Sequence, residues 1–226
     1  MAQNFDVCIR GGGMVGRSLA LLLAAQSLRV ALVAPTPHST DVRAYSLNTA
    51  SRRLLESLNA WPTETHATAV MDMRVWGDEG GFVHFPSPSA DGLTWIVDVP
   101  ELERLLAERV QAEPRITLVT APAQAPLTVV CEGRASATRQ SLGIDFEILP
   151  YHQHALAARV RTSLPHRQQA LQWFRQHNGG LEILALLPLG GPSGNEAALV
   201  WSVDPAQAIH LQTLAVPAFE TLLEEA

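Results

Sequence analysis

The stretch that decides the fold is FDVCIRGGGMVGRSLALLLAAQSLRVALV, residues 5–33. A short β-rich apolar run at 5–9 is followed at once by glycines, and then by an Ala/Leu-rich run at 18–27. A second β-rich apolar run occupies 29–33. Strand, glycine turn, helix and strand within about thirty residues are typical of a βαβ unit. The sequence therefore predicts such a unit at the start of the chain.

A glycine-rich loop connects the first strand to the helix. Its spacing, Gly-x-Gly-x-x-Gly, gives a tight turn, close approach of the backbone to a pyrophosphate, and close packing of helix on strand. The helix N-terminus adds N–H groups for the phosphates. An ordinary glycine-rich turn is the alternative, but the strand before and the helix after favour a cofactor loop. We predict that the dinucleotide contacts are Gly11, Gly13, Met14, Val15 and Gly16.

Two positions around this loop are unusual. The second strand of a dinucleotide-binding unit commonly ends in an acid that binds the ribose hydroxyls, whereas this chain has Ala34 there. Three explanations stay open: a nearby group such as Asp41 substitutes, the adenosine is held loosely, or no cofactor binds. Arg10 is also unexpected, because a buried strand usually ends with an apolar residue at this point.

The rest of the chain alternates between helical and strand-like patterns. Apolar spacing predicts a helix over 46–58 with Ser46 as its N-cap, and an amphipathic helix over 99–110. Alternating apolar residues around a Gly-rich turn predict a β-hairpin over 70–85. Further strands are expected at 116–119 and 127–131, an antiparallel sheet from 148 onward, and a helix beginning at 219.

Composition narrows the class of function. Hydrophobic residues make up 47% of the 226, and the net charge is −6. This balance, with no Lys/Arg cluster, argues against a nucleic-acid partner. Cys8 and Cys131 lie in apolar runs and are expected to be buried thiols. His152 and His154 lack a third ligand nearby, so no metal site is predicted. Without a visible signal peptide or membrane-length apolar run, we expect a cytoplasmic protein.

Several segments together resemble a known family. They are residues 5–33 and 41–61 (DVRAYSLNTASRRLLESLNAW), residues 131–162 (CEGRASATRQSLGIDFEILPYHQHALAARVRT), EILALLPL at 182–189 and ALVWSV at 198–203. In this order they resemble the flavin-dependent hydroxylases of ubiquinone biosynthesis, within the p-hydroxybenzoate-hydroxylase-like FAD monooxygenases. The stretch 151–156 and the LPL and VWS pair are the more specific parts, and the glycine loop is the least specific.

The resemblance implies an α/β fold in which a Rossmann-like FAD-binding domain is interleaved with a mostly antiparallel substrate-domain sheet. The FAD-binding domain is expected at 1–69 and 95–147, and the substrate-domain sheet at 70–94 and 148–213. Residues 214–226 are expected to begin a helix that returns to the FAD domain. The family's later Gly-Asp motif would lie beyond Ala226, so we expect the N-terminal portion of such an enzyme, inactive by itself.

By resemblance, FAD would be the cofactor and the glycine loop would face its pyrophosphate. Arg43 matches the family's arginine near FAD, where its fork of donors suits phosphate; a solvated loop arginine is the alternative. Glu132, Gly133 and Arg139 match a motif that usually reads Asp-Gly with a downstream Arg and that helps hold FAD and receive the nicotinamide cofactor. Here Glu replaces Asp, and the alternative is a strand-ending loop with a helix cap.

The implied activity is FAD-dependent hydroxylation of an aromatic ring with NAD(P)H and O₂. The implied substrate is an apolar prenylated phenol, met at the inner-membrane surface or within a biosynthetic complex; no catalytic side chain is assigned. A non-catalytic relative, acting as partner or scaffold with a degenerate FAD site, is the alternative. It is favoured by Ala34, by Glu132, and by Val99, an apolar residue where members of the family often have a polar flavin contact. Another FAD- or NAD-dependent oxidoreductase sharing only the βαβ unit is a third reading.

Overall fold

A computed structural model describes residues 4–34, 41–177 and 180–226. The chain forms two compact units. Unit 1 consists of Met1–Asp41, Thr49–Pro62 and Val99–Glu147, and unit 2 of Val42–Asn48, Thr63–Asp98 and Ile148–Ala226. The chain thus passes between the units several times, as an interleaved fold requires.

Helices are interspersed among groups of strands along the chain. The strands are β1 Val7–Arg10, β2 Val30–Val33, β3 Ala44–Leu47, β4 Ala67–Val70, β5 Asp72–Trp76, β6 Phe82–Pro86, β7 Thr94–Asp98, β8 Ile116–Val119, β9 Leu127–Val130, β10 His154–Arg161, β11 Gln169–His177, β12 Gly180–Leu189 and β13 Glu196–Val203. The α-helices are α1 Met14–Ala25, α2 Thr49–Ser57, α3 Val99–Ala112, α4 Ala137–Ser141, α5 Pro205–Thr213 and α6 Val216–Glu225.

Unit 1 is built on a parallel four-stranded sheet with the order β8-β2-β1-β9. One face of this sheet packs against α1 and α3: Ile9 and Leu32 are fully buried and contact Ala20, Ala24 and Val110. The central strands β1 and β2 have continuous apolar runs and are buried over their first three residues, as expected for inner strands of a parallel sheet. The predicted βαβ unit is confirmed, with the helix beginning at Met14, at the end of the glycine loop.

Unit 2 contains two sheets. The larger has the order β10-β13-β12-β11-β5-β6, and the smaller has the order β3-β7-β4. The predicted hairpin is present, since β5 and β6 pair antiparallel across a turn that the Gly77 N–H closes by donating to the Gly81 carbonyl at 2.7 Å. Strands β10 to β13 pair antiparallel with one another, as expected. The mixed α/β architecture with a parallel sheet and antiparallel sheets is confirmed.

The domain borders of the structure differ from those expected at three segments. Residues 42–48 and 63–69 belong to unit 2, because β3 and β4 each pair with β7 there. Residues 214–226 also belong to unit 2, where Phe219 and Leu222 of α6 pack on the core around Trp201. The pairing partners of these segments are distant in sequence, so local patterns do not reveal them.

Two predictions about secondary structure were wrong. The helix expected from Ser46 begins at Thr49, because 44–47 form a strand in register with β7, Ser46 opposite Ile96. Helix α5 was missed, although its start carries a recognisable signal. Asp204 caps it by accepting from the Ala206 and Gln207 N–H groups, and Pro205 occupies its first turn. Within the described ranges, no helix has both the length and the apolarity needed to cross a bilayer.

The turn between β10 and β11 holds two non-glycine residues in the left-handed region. Arg167 and Gln168 have φ of 51° and 58°, and the Gln169 N–H donates to the His166 carbonyl at 2.9 Å. Such turns favour Asn at the first central position, and left-handed backbone costs most side chains about 1 kcal/mol. We therefore expect Arg167→Asn to stabilise the protein by about 0.5 kcal/mol in urea unfolding. Arg167→Ala is the control; an equal gain from alanine would contradict the backbone argument.

Candidate cofactor-binding site

Two glycines of the loop are required by close backbone contacts. Gly11 has φ +115°, and a Cβ added there would lie 2.3 Å from the Cys131 carbonyl oxygen at the end of β9. A Cβ on Gly16 would lie 1.8 Å from the Gly11 carbonyl oxygen. These contacts press the first turn of α1 against the ends of β1 and β9. The first and third glycines of the motif therefore set the geometry of the loop.

Gly13, the second glycine of the motif, faces open space. A Cβ added there would meet no atom of the described residues within 4 Å. Gly13 is the N-cap of α1, and the first N–H to close a helical turn is that of Arg17, which donates to the Gly13 carbonyl at 3.0 Å. The N–H groups of Met14, Val15 and Gly16 precede that bond and belong to the positive end of the helix. Room and donors thus coincide at Gly13, so this loop fits a pyrophosphate.

Glu132 is held by the segment that follows it. One carboxylate oxygen accepts from Ser136 Oγ at 2.7 Å and from the Thr138 N–H at 3.0 Å. The other accepts from Thr138 Oγ1 at 2.6 Å and lies 3.2 Å from Arg10 Nε. Ser136 is itself the N-cap of α4, accepting from the Arg139 N–H. The carboxylate therefore fixes the turn that carries Gly133, whose φ is +70°.

These contacts favour the ionised form of Glu132. The hydrogen bonds from Thr138 and Ser136, with a smaller effect of Arg10, lower the pKa of Glu132 from 4.5 to about 2. Burial acts in the opposite direction and is outweighed. The donors compensate the negative charge, and the charge in turn holds the donors in place, so the charge and the local structure stabilise each other.

The lowered pKa of Glu132 predicts acid sensitivity of unit 1. Because the folded pKa lies below the unfolded one, its stabilisation is complete above about pH 4.5 and is lost as the pH falls toward about 2. We expect Glu132→Gln to be less stable than the parent chain at neutral pH, with the difference shrinking across this window. Chemical unfolding followed from pH 7 to pH 2.5 measures it. A difference that is independent of pH would contradict the assignment.

Arg139 lies beside Glu132 and Gly133 but is already engaged. Its Nη2 donates to the Arg134 carbonyl at 2.9 Å, and its guanidinium carbon lies 4.0 Å from the centre of the Phe146 ring. Its buried Nε has no hydrogen-bond partner in the part of the chain that the structure describes. A pocket of about 250 Å³ is lined by Val130, Glu132, Gly133, Ser136, Arg139, Leu142 and Ile144. The structure thus brings together Glu132, Gly133 and Arg139, next to the strand that contacts the glycine loop.

Arg43 and Ala34 are the two remaining positions that the sequence singled out. Arg43 belongs to unit 2, is exposed, and its guanidinium carbon lies 5.8 Å from the centre of the Tyr45 ring. Ala34 packs tightly on the glycine loop, because a Cβ on Gly12 would lie 2.4 Å from the Ala34 Cβ. The FAD contact of Arg43 and the substitution of the ribose acid by Asp41 stay predictions.

Comparison with known proteins gives relatives of one kind. No family model matches the chain. Ubiquinone hydroxylase UbiL of Rhodospirillum rubrum is 28% identical over 252 aligned positions, covering 97% of this chain and 56% of the relative. The 3-demethoxyubiquinol 3-hydroxylase of Escherichia coli is 27% identical, covering 94% of this chain and 61% of the relative. The chain is therefore similar to proteins named as hydroxylases of ubiquinone biosynthesis. It spans little more than half the length of these relatives.

Solved structures of flavin monooxygenases share the fold of this chain. PqsL of Pseudomonas aeruginosa, named a probable FAD-dependent monooxygenase, has a TM-score of 0.73 at 25% identity, covering 92% of this chain and 63% of PqsL. The p-nitrophenol 4-monooxygenase PnpA of Pseudomonas putida has a TM-score of 0.70 at 14% identity, covering 100% of this chain and 62% of PnpA. The predicted family resemblance is confirmed.

One charged cluster of this chain was not predicted from the sequence. In unit 2, Arg159 of β10 donates to both carboxylate oxygens of Asp98, at 2.8 and 3.1 Å, and His66 Nδ1 lies 3.3 Å from Asp98 Oδ2. Burial tends to raise the pKa of Asp98, but the bonds from Arg159 and His66 outweigh it and the pKa is lowered. The available signal was Asp98 at the end of an otherwise apolar strand, where an acid needs a partner.

Proposed function

We propose that this chain is part of an FAD-dependent aromatic-ring hydroxylase of ubiquinone biosynthesis. The observation that carries the proposal is the open, donor-rich space at Gly13, between two glycines that backbone contacts require. The names of the relatives, which are ubiquinone hydroxylases, support the substrate class. The names of the structural neighbours, which include FAD-dependent monooxygenases, support the cofactor.

The residues of this chain would hold the cofactor in distinct ways. The N–H groups at Met14, Val15 and Gly16 would bind the pyrophosphate, and Gly13 would let it approach the backbone. Gly133, held by the Glu132 network, would present a further open stretch of backbone, since a Cβ there meets no described atom within 4 Å. Bound FAD supplies the redox chemistry that activates O₂. The protein's part is to bind FAD, to orient it, and to hold the residues around it in place.

The co-substrates are part of the same proposal. NAD(P)H would reduce the flavin, O₂ would supply the inserted oxygen atom, and a prenylated phenol would be the ring that is hydroxylated. Such a substrate is membrane-soluble, so we propose that it reaches the enzyme at the membrane surface or from a partner in a biosynthetic complex. The relatives' names support only the ubiquinone pathway, and these finer points rest on the chemistry of the reaction.

Flavin binding and isotope transfer test the proposal. The purified chain should quench the fluorescence of added FAD along a saturable curve. A full-length protein that contains this chain, given FAD, NADPH or NADH, ¹⁸O₂ and a short-chain prenylated phenol, should place one ¹⁸O atom in the product, as read by mass spectrometry. Uptake of FAD by that full-length protein without oxygen insertion would contradict the hydroxylase proposal.

A non-catalytic relative is the second candidate, and a specific observation favours it. Both oxygens of Glu132 are already used within unit 1, and Ala34 brings no acid to the end of β2. On this reading the fold serves as a partner or scaffold. A chain that takes up no FAD at concentrations of several hundred micromolar would favour it over the hydroxylase, because flavoenzymes bind FAD far more tightly.

A further inference from the structure

Arg10 and Glu132 are both unusual, and the structure pairs them. Arg10 ends β1 directly before the glycine loop, and Glu132 follows β9. These strands are parallel neighbours, and the Cys131 N–H donates to the Arg10 carbonyl at 2.6 Å. Arg10 Nε then lies 3.2 Å from Glu132 Oε1. A cation at the end of one strand thus meets an anion at the end of the next.

The ion pair matters because Arg10 Nε lacks other compensation for its charge among the described residues. This nitrogen is buried and makes no hydrogen bond to any residue in the described ranges. The Glu132 carboxylate is the charge that compensates it, in the geometry of an ion pair. A half-buried guanidinium without such a partner would be unfavourable. The two departures from the expected pattern therefore compensate each other.

The main chain of Glu132 also lies at the edge of the glycine loop, and its carboxylate lies beside Arg10, the residue directly before that loop. A Cβ on Gly11 would meet the Glu132 backbone nitrogen at 2.8 Å, so Glu132 is in direct contact with the turn that forms the cradle. Its hydrogen bonds from Ser136 and Thr138 keep it charged. An unpaired carboxylate on this residue would repel the doubly charged pyrophosphate, because charges near a protein surface are only partly screened at low salt.

We propose that Arg10 is a positioning residue of the cofactor cradle, which neutralises Glu132 and holds the turn at Gly133 against the end of β1. The inference rests on the proposed function, since the anion to be admitted is that of FAD. It assigns Arg10 an electrostatic role in admitting the cofactor, without requiring it to touch FAD. Glu132 and Arg10 then act as one neutral unit.

FAD affinity of four variants tests this role. Arg10→Met should weaken FAD binding about tenfold at about 50 mM salt, and clearly less at about 500 mM salt, where charge repulsion is screened. Arg10→Met with Glu132→Gln should recover most of the loss, because neither charge remains. Arg10→Lys should retain most of the affinity, because the positive charge is kept. Arg29→Met, which removes the Arg29–Asp6 pair at the opposite end of the same sheet, is the matched control.

Each outcome separates the inference from the proposed function. No FAD binding by the parent chain would overturn the proposed function and the inference with it. FAD binding by the parent with equal affinity in Arg10→Met would overturn only the inference. A loss that is equal at both salt concentrations, or that the double variant does not restore, would show a merely structural role and also overturn it. Thermal unfolding of every variant verifies folding, and Arg10→Lys with the double variant decides if Arg10→Met does not fold.

Discussion

Gly16→Ala should mainly lower the stability of the protein, whereas Gly13→Ala should mainly lower its affinity for FAD. Gly16→Ala is expected to destabilise the protein by at least about 3 kcal/mol, although alanine normally stabilises a helix, because its Cβ would lie 1.8 Å from the Gly11 carbonyl oxygen. Gly13→Ala should change stability by less than about 1 kcal/mol, since its Cβ enters open space and its φ is −75°.

For FAD binding, Gly13→Ala is the informative substitution. The methyl group of Gly13→Ala occupies the space into which a pyrophosphate would approach the helix N-terminus, so we expect a loss of affinity of about tenfold or more. Urea unfolding and fluorescence quenching of FAD measure the two properties separately. A variant that folds normally and fails to bind would identify Gly13 as a contact.

Gly81→Ala is the matched control for Gly13→Ala. Gly81 belongs to unit 2, and its Cβ would also meet no described atom within 4 Å. This variant should keep both stability and affinity. If Gly13→Ala binds FAD as well as Gly81→Ala does, the space at Gly13 is not the cofactor site.

The sequence predicts most clearly what depends on local spacing. The βαβ unit, the hairpin at 70–85 and the helix starting at Val99 each follow from periodicity and turn residues within a short window. The family resemblance follows from motifs in order along the chain, and the relatives agree with it.

What the sequence does not predict depends on partners far away in the chain. The helix predicted over 46–58 begins late, because residues 44–47 form a strand that pairs with β7, some fifty positions later in the chain. Glu132 matches a cofactor-binding motif in the sequence, while its charge is compensated by Arg10, which lies far earlier in the chain. Arg10 at the end of a buried strand predicts an anionic partner, but the sequence does not identify that partner.

A further large effect is expected at a buried ion pair in the larger sheet of unit 2. Arg175 and Glu182 face each other across β11 and β12, with Arg175 Nη2 2.8 Å from Glu182 Oε2. Glu182 is 3% exposed, and its Oε1 has no hydrogen-bond partner among the described residues. Arg175 Nη1 also donates to the carbonyls of Glu225 and Ala226 at the end of α6. Arg175 therefore neutralises a buried carboxylate and also donates hydrogen bonds at the C-terminal end of α6.

Arg175→Met should cost about 3–5 kcal/mol in urea unfolding, because it leaves the buried Glu182 carboxylate without a counter-charge. Arg175→Met with Glu182→Leu should cost only about 1 kcal/mol, which is the lost interaction with the end of α6. The rescue distinguishes an unpaired charge from lost packing, since the double variant removes at least as much of the original contact.

The Arg161–Glu196 pair offers a matched control within the same sheet. It also joins opposite residues of neighbouring strands, at 3.0 Å, but its side chains are 73% and 49% exposed. Arg161→Met should therefore cost less than about 0.5 kcal/mol, because water solvates the remaining carboxylate. Equal costs at Arg161 and Arg175 would mean that burial does not set the strength of these pairs. A double variant as unstable as Arg175→Met would assign the loss to packing instead, since removing the anion would then bring no relief.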